Sequence, residues 1–185
     1  MQKKSSFCEA AARIPFIIRP PHWMEHSPGR VCNSLVELSD ILPTLCSYSA
    51  AFVPDDVTGI SLKPLIDEKC MSVRNSLHGH INNTHMYHDG RFKYIYHVDD
   101  GNEFVFDVSA DRNDMNPIKG EKVREMRQKL IKHLEEEGHE HFENGELVNL
   151  SIEKPPLNMV RARDGAAMNP LASMNDICRN IQHIH

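Results

Sequence analysis

Asp89-Gly90-Arg91-Phe92-Lys93-Tyr94-Ile95-Tyr96-His97-Val98 is the stretch whose reading decides the fold. Asp-Gly between two runs of apolar and β-branched or aromatic residues is a strong hairpin signal, because the turn needs positive φ and glycine supplies it. Thr84–His88 reads as the strand entering the turn and Arg91–Val98 as the strand leaving it. In the second strand Phe92, Tyr94 and Tyr96 alternate with polar or smaller residues, which places the three rings on one face. Asp99-Asp100-Gly101-Asn102 is a second turn, and Glu103–Val108 a third strand. Ser72–His80 adds a further candidate strand upstream. The spacing predicts an antiparallel meander.

Moving outward, Glu121–Glu137 predicts a helix. Val123, Met126, Leu130 and Leu134 recur at helical spacing and Gly138 stops it. Strands plus one helix make a small α+β layer. On the N-terminal side, Arg13–Arg19 is a short apolar run that reads as a buried strand, the partial α/β element of the chain. Ser34 and Glu37 form a capping-box pattern before an amphipathic helix presenting Leu35, Leu38, Ile41, Leu42 and Leu45. Pro43 either kinks this helix or restarts it, with Asp40 as a second N-cap. Residues 50–64 are turn-rich, and Leu62, Leu65 and Ile66 suggest a short helical turn. From 139 onward the signal weakens: Leu147–Ile152 is a possible strand, and 155–185 carry no sustained period. These shifts divide the chain at 1–70, 71–138 and 139–185.

The net charge of −5 offers no basic surplus for nucleic acid, and the apolar runs are too short to span a membrane. As written, with no leader after Met1, the chain would stay in the cytoplasm. An upstream signal would instead send it to an exported, periplasmic or lysosomal-type location. Five cysteines without a C-x-x-C pair argue against a disulfide framework or a zinc ribbon.

Twelve histidines invite a metal reading. His78-Gly-His80, His139-Glu-His141 and His183-Ile-His185 each place two imidazoles two residues apart, on one face if the backbone is a strand. No H-E-x-x-H occurs. For the last two pairs the expectation is a solvated polar face. Cys70 and Arg74 are spaced like a nucleophile and an anion-binding base, but the expectation is a buried cysteine before a strand with Arg74 at the sheet edge. Asp55-Asp56, Asp107 and Asp111 are expected to serve turns and caps. Lys4 taken alone is a solvated charge.

Five segments, in order, resemble the type I sulfatases of the alkaline-phosphatase-like superfamily. Lys4-Ser-Ser-Phe-Cys-Glu9 followed by Arg13-Ile-Pro15 is similar to that family's lysine, aromatic, glutamate, R-[VI]-P segment. Asp40 with Pro43-Thr44-Leu45 resembles D-x-x-P-T-L. Thr58-Gly59-Ile60-Ser61-Leu62-Lys63-Pro64-Leu65 resembles D-G-x-S-L-x-P-L. Asp89–Ile95 resembles D-G-R-x-K-Y-I. Glu103–Asp111 with Asn116 resembles E-x-L-F-D-L-x-x-D-P-x-E-x-x-N-L. The resemblance implies sulfuric-ester hydrolysis through a formylglycine nucleophile and a divalent metal, usually calcium, held by aspartates. It implies that 1–70 is the end of the large α/β domain and that 71–138 is a C-terminal antiparallel subdomain, followed by a weakly structured tail at 139–185. Lys4 matches the lysine that contacts the substrate sulfate. His78 and His80 stand where some bacterial members carry an H-G-E-H strand, and are carried as residues of the pocket rim.

The sequence departs from the family where its chemistry resides. No C/S-x-P-x-R occurs, the paired aspartates are not found, and Asp111 precedes Arg112 where the family has proline. Three readings follow. One is a C-terminal sulfatase portion that is inactive alone and meets its sulfate-ester substrate only when complemented. The second is a non-catalytic binding or scaffold module with the same fold. The third is a related phosphoesterase. The first two allow association through an exposed sheet edge.

Overall fold

The computed structural model describes residues 7–22, 27 and 29–152. They divide into two compact units: the described parts of Met1–Ile14 and His78–His185 form one, and Pro15–Leu77 the other.

The first unit is the meander. Its strands are β1 (Leu77–Ile81), β2 (Thr84–His88), β3 (Phe92–His97) and β4 (Glu103–Asp107), in the order β1-β2-β3-β4. The register pairs Tyr87 with Tyr94 and His85 with Tyr96 across β2 and β3, and Tyr94 with Val105 across β3 and β4. At the Asp89-Gly90 turn, Asp89 Oδ1 accepts the Phe92 N–H at 2.8 Å, and Gly90 takes φ +94°. Helix α4 (Glu121–Glu137) lies on one face of this sheet. Its Met126, Leu130 and Leu134 bury completely against Tyr94, Tyr96, Val98 and Val105. At roughly 2 kcal/mol for each large side chain, this layer is the main hydrophobic contribution to the unit. Buried hydroxyls are satisfied: Tyr94 donates to Glu103 at 2.8 Å, and Tyr96 donates to the Val148 carbonyl at 3.0 Å.

The alternation of β3 turns Lys93 and Ile95 to the opposite face. Lys93 is buried there, 1% exposed. Its ammonium donates to Glu9 Oε1 at 2.8 Å and to Asp114 Oδ2. The Glu9 N–H, at the start of the short helix α1 (Glu9–Ala12), donates to the same Asp114 oxygen at 2.7 Å. Burial pushes the Asp114 carboxyl above the usual aspartate range against the pull of Lys93, and the Glu9 carboxylate pushes it the same way as burial. Phe7, just before α1, packs on the same face. A methyl on Gly79 would lie 2.8 Å from the Phe7 ring.

The second unit contains a 3-10 turn (Leu38–Asp40), helix α2 (Ile41–Ser49) and helix α3 (Lys63–Ile66). Asp40 is fully buried. Arg74 grips both its oxygens at 2.6 Å, and the backbone N–H groups of Glu37 and Ile60 donate to it at 2.9 and 2.8 Å. Burial alone would raise the Asp40 carboxyl. The Arg74 fork and the two N–H groups outweigh it and hold the group below the usual range. Thr44 Oγ1 accepts the Leu62 N–H at 2.8 Å. Gly59 presses so closely that a methyl there would lie 2.1 Å from the Ser39 carbonyl.

Several sequence expectations are corrected here. Arg13–Arg19 forms no strand, and Ile17 is 90% exposed; no described strand lies beside it to take its backbone hydrogen bonds. The amphipathic helix is shorter and turned over. The capping box is Glu37 with Asp40, and α2 restarts after Asp40 with Pro43 in its first turn. Asp40, Pro43, Thr44 and Cys46 face inward, while Leu38, Ile41, Leu42 and Leu45 are exposed. The polar contacts of Asp40 and Thr44, both tied to residues 60–62, set that rotation. Arg74 is not at a sheet edge: it is the partner of Asp40. Leu147–Ile152 is mostly not a strand. β6 is only Glu146–Leu147, paired with β5 (Phe142–Glu143), while Leu150 and Ile152 donate backbone N–H groups to Val98 and Asp99.

Replacing Asp40 by Asn leaves the Arg74 guanidinium without its buried counter-charge, an effect worth about 3 kcal/mol. Urea unfolding of D40N, followed by a probe in residues 15–77, is expected to show that loss. A stability equal to the parent chain would contradict the buried pairing.

Candidate histidine site

β1 presents His78 and His80 on the α4 face of the sheet, two residues apart as period 2 requires. β2 presents His85 beside them on the same face, as its pairing with Tyr96 dictates. The last turns of α4 add His133 and Glu137. At the end of α4, Gly138 takes φ +64°, the left-handed conformation that closes helices. The His139 N–H then donates to the Leu134 carbonyl at 3.0 Å. This reversal brings His139 and His141 back over β1 and β2. Six imidazoles from four separate segments therefore meet in one place.

The contacts are close. His78 Nε2 lies 3.0 Å from His85 Nδ1, and His85 Nε2 lies 2.8 Å from His141 Nδ1. The His80 and His85 rings stack at 4.4 Å with planes 7° apart, and His139 meets His85 edge-on at 4.8 Å. Glu137 stands 3.8 Å from His78 Nδ1 and 3.3 Å from His133 Nε2. His85 is fully buried and His141 nearly so, whereas His80 is exposed. Burial, with the neighbouring imidazoles of His80, His78, His139 and His141, pushes the His85 pKa down to about 2. Burial, with His133, His139 and His80, pushes His78 down to about 4. His141 is lowered by burial and by His139 and His80. These rings are neutral near pH 7, each with a lone pair to offer.

Of the residues singled out in the sequence, the structure brings His78 and His80 into this cluster. Lys4 lies outside the described residues, as does the pair at 183 and 185. The expectation of a solvated face for His139 and His141 is corrected: His141 is buried and both approach His85. Sequence reasoning missed His85, His133 and Glu137. The available signal was Gly138, which marks where the chain turns back. Asp107 and Asp111 serve turns: Asp107 Oδ1 accepts the Ser109 N–H at 3.1 Å, and Asp111 Oδ2 accepts the Asn116 N–H at 2.7 Å. The calcium implied by the resemblance does not fit the described residues. Calcium takes six to eight oxygens, whereas the ligand groups found among the described residues are His80, His85, His139 and His141, and His78, His133 and Glu137.

Residues 2–140 match the family model described as N-sulphoglucosamine sulphohydrolase, C-terminal. The chain is 34% identical over 143 residues to an arylsulfatase of Clostridium perfringens, covering 71% of this chain and 30% of that protein. It is 30% identical over 146 residues to arylsulfatase K of Xenopus laevis, covering 69% of this chain and 27% of that protein. A solved 2-O GAG sulfatase is similar at 19% identity with a TM-score of 0.48, over 65% of this chain and 31% of that one. The chain thus spans less than a third of the length of these relatives.

The depressed histidines fix a sign for the pH dependence of stability. The unfolded chain takes up these protons near pH 6.5, and the folded chain resists them. The contribution is complete above about 6.5 and is lost as the pH falls below it. Thermal unfolding in a chelator is expected to show Tm dropping between about pH 7.5 and 5. A flat profile over that interval would contradict the buried neutral cluster.

Proposed function

The chain belongs to the N-sulphoglucosamine sulphohydrolase C-terminal family, and from that membership we propose that it forms the C-terminal portion of a sulfuric-ester hydrolase, working with the remainder of such an enzyme. The observation that carries the reading is the family match over residues 2–140, in a chain whose matched part covers under a third of its relatives. A physical feature supports it. Ile17, Leu38, Leu42, Leu45 and Phe52 are 90, 63, 47, 61 and 78% exposed, a density of bare apolar side chains that suits a surface covered by more protein.

In this reading the nucleophile and the metal carboxylates are supplied by the remainder of the enzyme. A formylglycine with calcium would supply the attack on sulfur. This chain contributes to binding. Lys4 offers an ammonium to the sulfate oxygens, and His78 and His80 stand at the rim. The clamp of Lys93 on Glu9, with Phe7 seated over Gly79, fixes the N-terminal segment on the face of the sheet opposite the histidines, so His78 and His80 reach a shared pocket only at the sheet edge.

The test is a chimera in which this chain replaces the matched region of the Clostridium perfringens arylsulfatase. The chimera is expected to hydrolyse 4-methylumbelliferyl sulfate with calcium, and Lys4→Ala to lower kcat/KM about 100-fold. Residues 1–185 alone are expected to give no turnover. Turnover by the isolated chain that is lost in K4A would overturn the reading of a partial enzyme. A folded but inactive chimera would instead point to a binding or scaffold module.

A further inference from the structure

We propose that His80, His85, His139 and His141 form a binding site for a borderline divalent transition metal of the zinc, nickel or copper(II) class. The inference does not depend on the sulfate-ester reading, although it shares His80 with it, and uses no residue supplied by another chain. One ligand nitrogen from each of the four rings lies within 4.8 Å of the others. Imidazoles around zinc sit at about 2.0 Å from the metal, so nitrogens in a tetrahedron stand about 3.3 Å apart. The widest pair therefore needs to close by no more than about 1.5 Å, and the His85–His141 pair to open by about 0.5 Å. Two of the four rings, His80 and His139, are partly or fully exposed, and His139 Nδ1 accepts the His141 N–H at 3.2 Å.

The hydrogen bonds around His85 aim it for this role. Glu137 lies beside His78 Nδ1, and His78 Nε2 lies against His85 Nδ1. The tautomer that suits a metal has the His78 proton on Nδ1, on the side of the carboxylate 3.8 Å away, and His85 donating from Nδ1 to His78 Nε2. That leaves the lone pair of His85 Nε2 directed at His141 Nδ1, 2.8 Å away. Without metal, a proton on His141 Nδ1 fills this contact. With metal, His141 moves that proton to Nε2, which faces Glu140 Oε1 at 3.9 Å. The metal thus takes the place of one bridging proton, and His78, hydrogen-bonded to His85 Nδ1, orients that ring from behind. Burial favours the neutral form that coordination needs. Four imidazoles without a ligating carboxylate favour nickel, copper and zinc, and disfavour calcium and magnesium, which demand oxygen.

The test uses the untagged chain of residues 1–185, stripped with a chelator and titrated with zinc against a chromogenic competitor. One zinc per chain is expected, with Kd below about 1 μM and a rise in Tm as zinc is added. His80→Ala and His139→Ala, both on the open side of the cluster, are each expected to keep the circular dichroism of the parent and to weaken zinc at least about tenfold. Replacing His183 and His185 together by Ala is expected to leave the affinity unchanged, and calcium at about 1 mM is expected not to compete. No zinc bound, zinc bound equally by H80A and H139A, or zinc lost with the pair at 183 and 185 would each overturn the site.

Discussion

A single buried ammonium organises the sheet unit. Lys93 sits on the central region of the meander with 1% of its surface exposed, and burying such a charge costs several kcal/mol unless it is fully paired. Two carboxylates meet the requirement, and each arrives from a different part of the chain. Glu9 comes from the N-terminal segment and Asp114 from the loop between β4 and α4. The loop and the segment are then joined directly, because the Glu9 N–H donates to Asp114. One ion cluster thus fixes the covering of the face that α4 does not cover. With two acids around one base the charges do not balance, which accords with the raised carboxyl of Asp114.

The residues that carry the family resemblance are largely these structural ones. Glu9, Lys93 and Asp114 fall in three of the resembling segments and converge on one clamp. Asp40 and Gly59 fall in the other two and meet through the Ile60 N–H and the Ser39 carbonyl. The motifs mark how the fold is held. The clustered histidines lie on the other face of the sheet, outside the clamp.

Local signals were the legible part. Asp89-Gly90 and the repeat of Met126, Leu130 and Leu134 were readable because hairpin turns and helix faces are set by neighbours in sequence. The face of α2 was not. Its leucines dictate one orientation by periodicity, but a buried Asp40–Arg74 pair 34 residues apart imposes another. The histidine cluster was half legible. His78 and His80 announce themselves by spacing on a strand. His141 joins them across 56 residues from His85, a proximity that only the meander register and the Gly138 reversal create.

The buried ammonium can be examined directly by a double-mutant cycle, measuring unfolding free energies for the parent chain, Lys93→Met, Asp114→Asn and the double variant. Lys93→Met is expected to cost the most, because it leaves Glu9 and Asp114 facing each other without the ammonium, Asp114→Asn to cost less, because Glu9 still pairs Lys93, and the two changes to couple by about 2 kcal/mol or more. Additive losses within about 0.5 kcal/mol would contradict it, and would mean that Lys93 is not the tie on which the sheet unit depends.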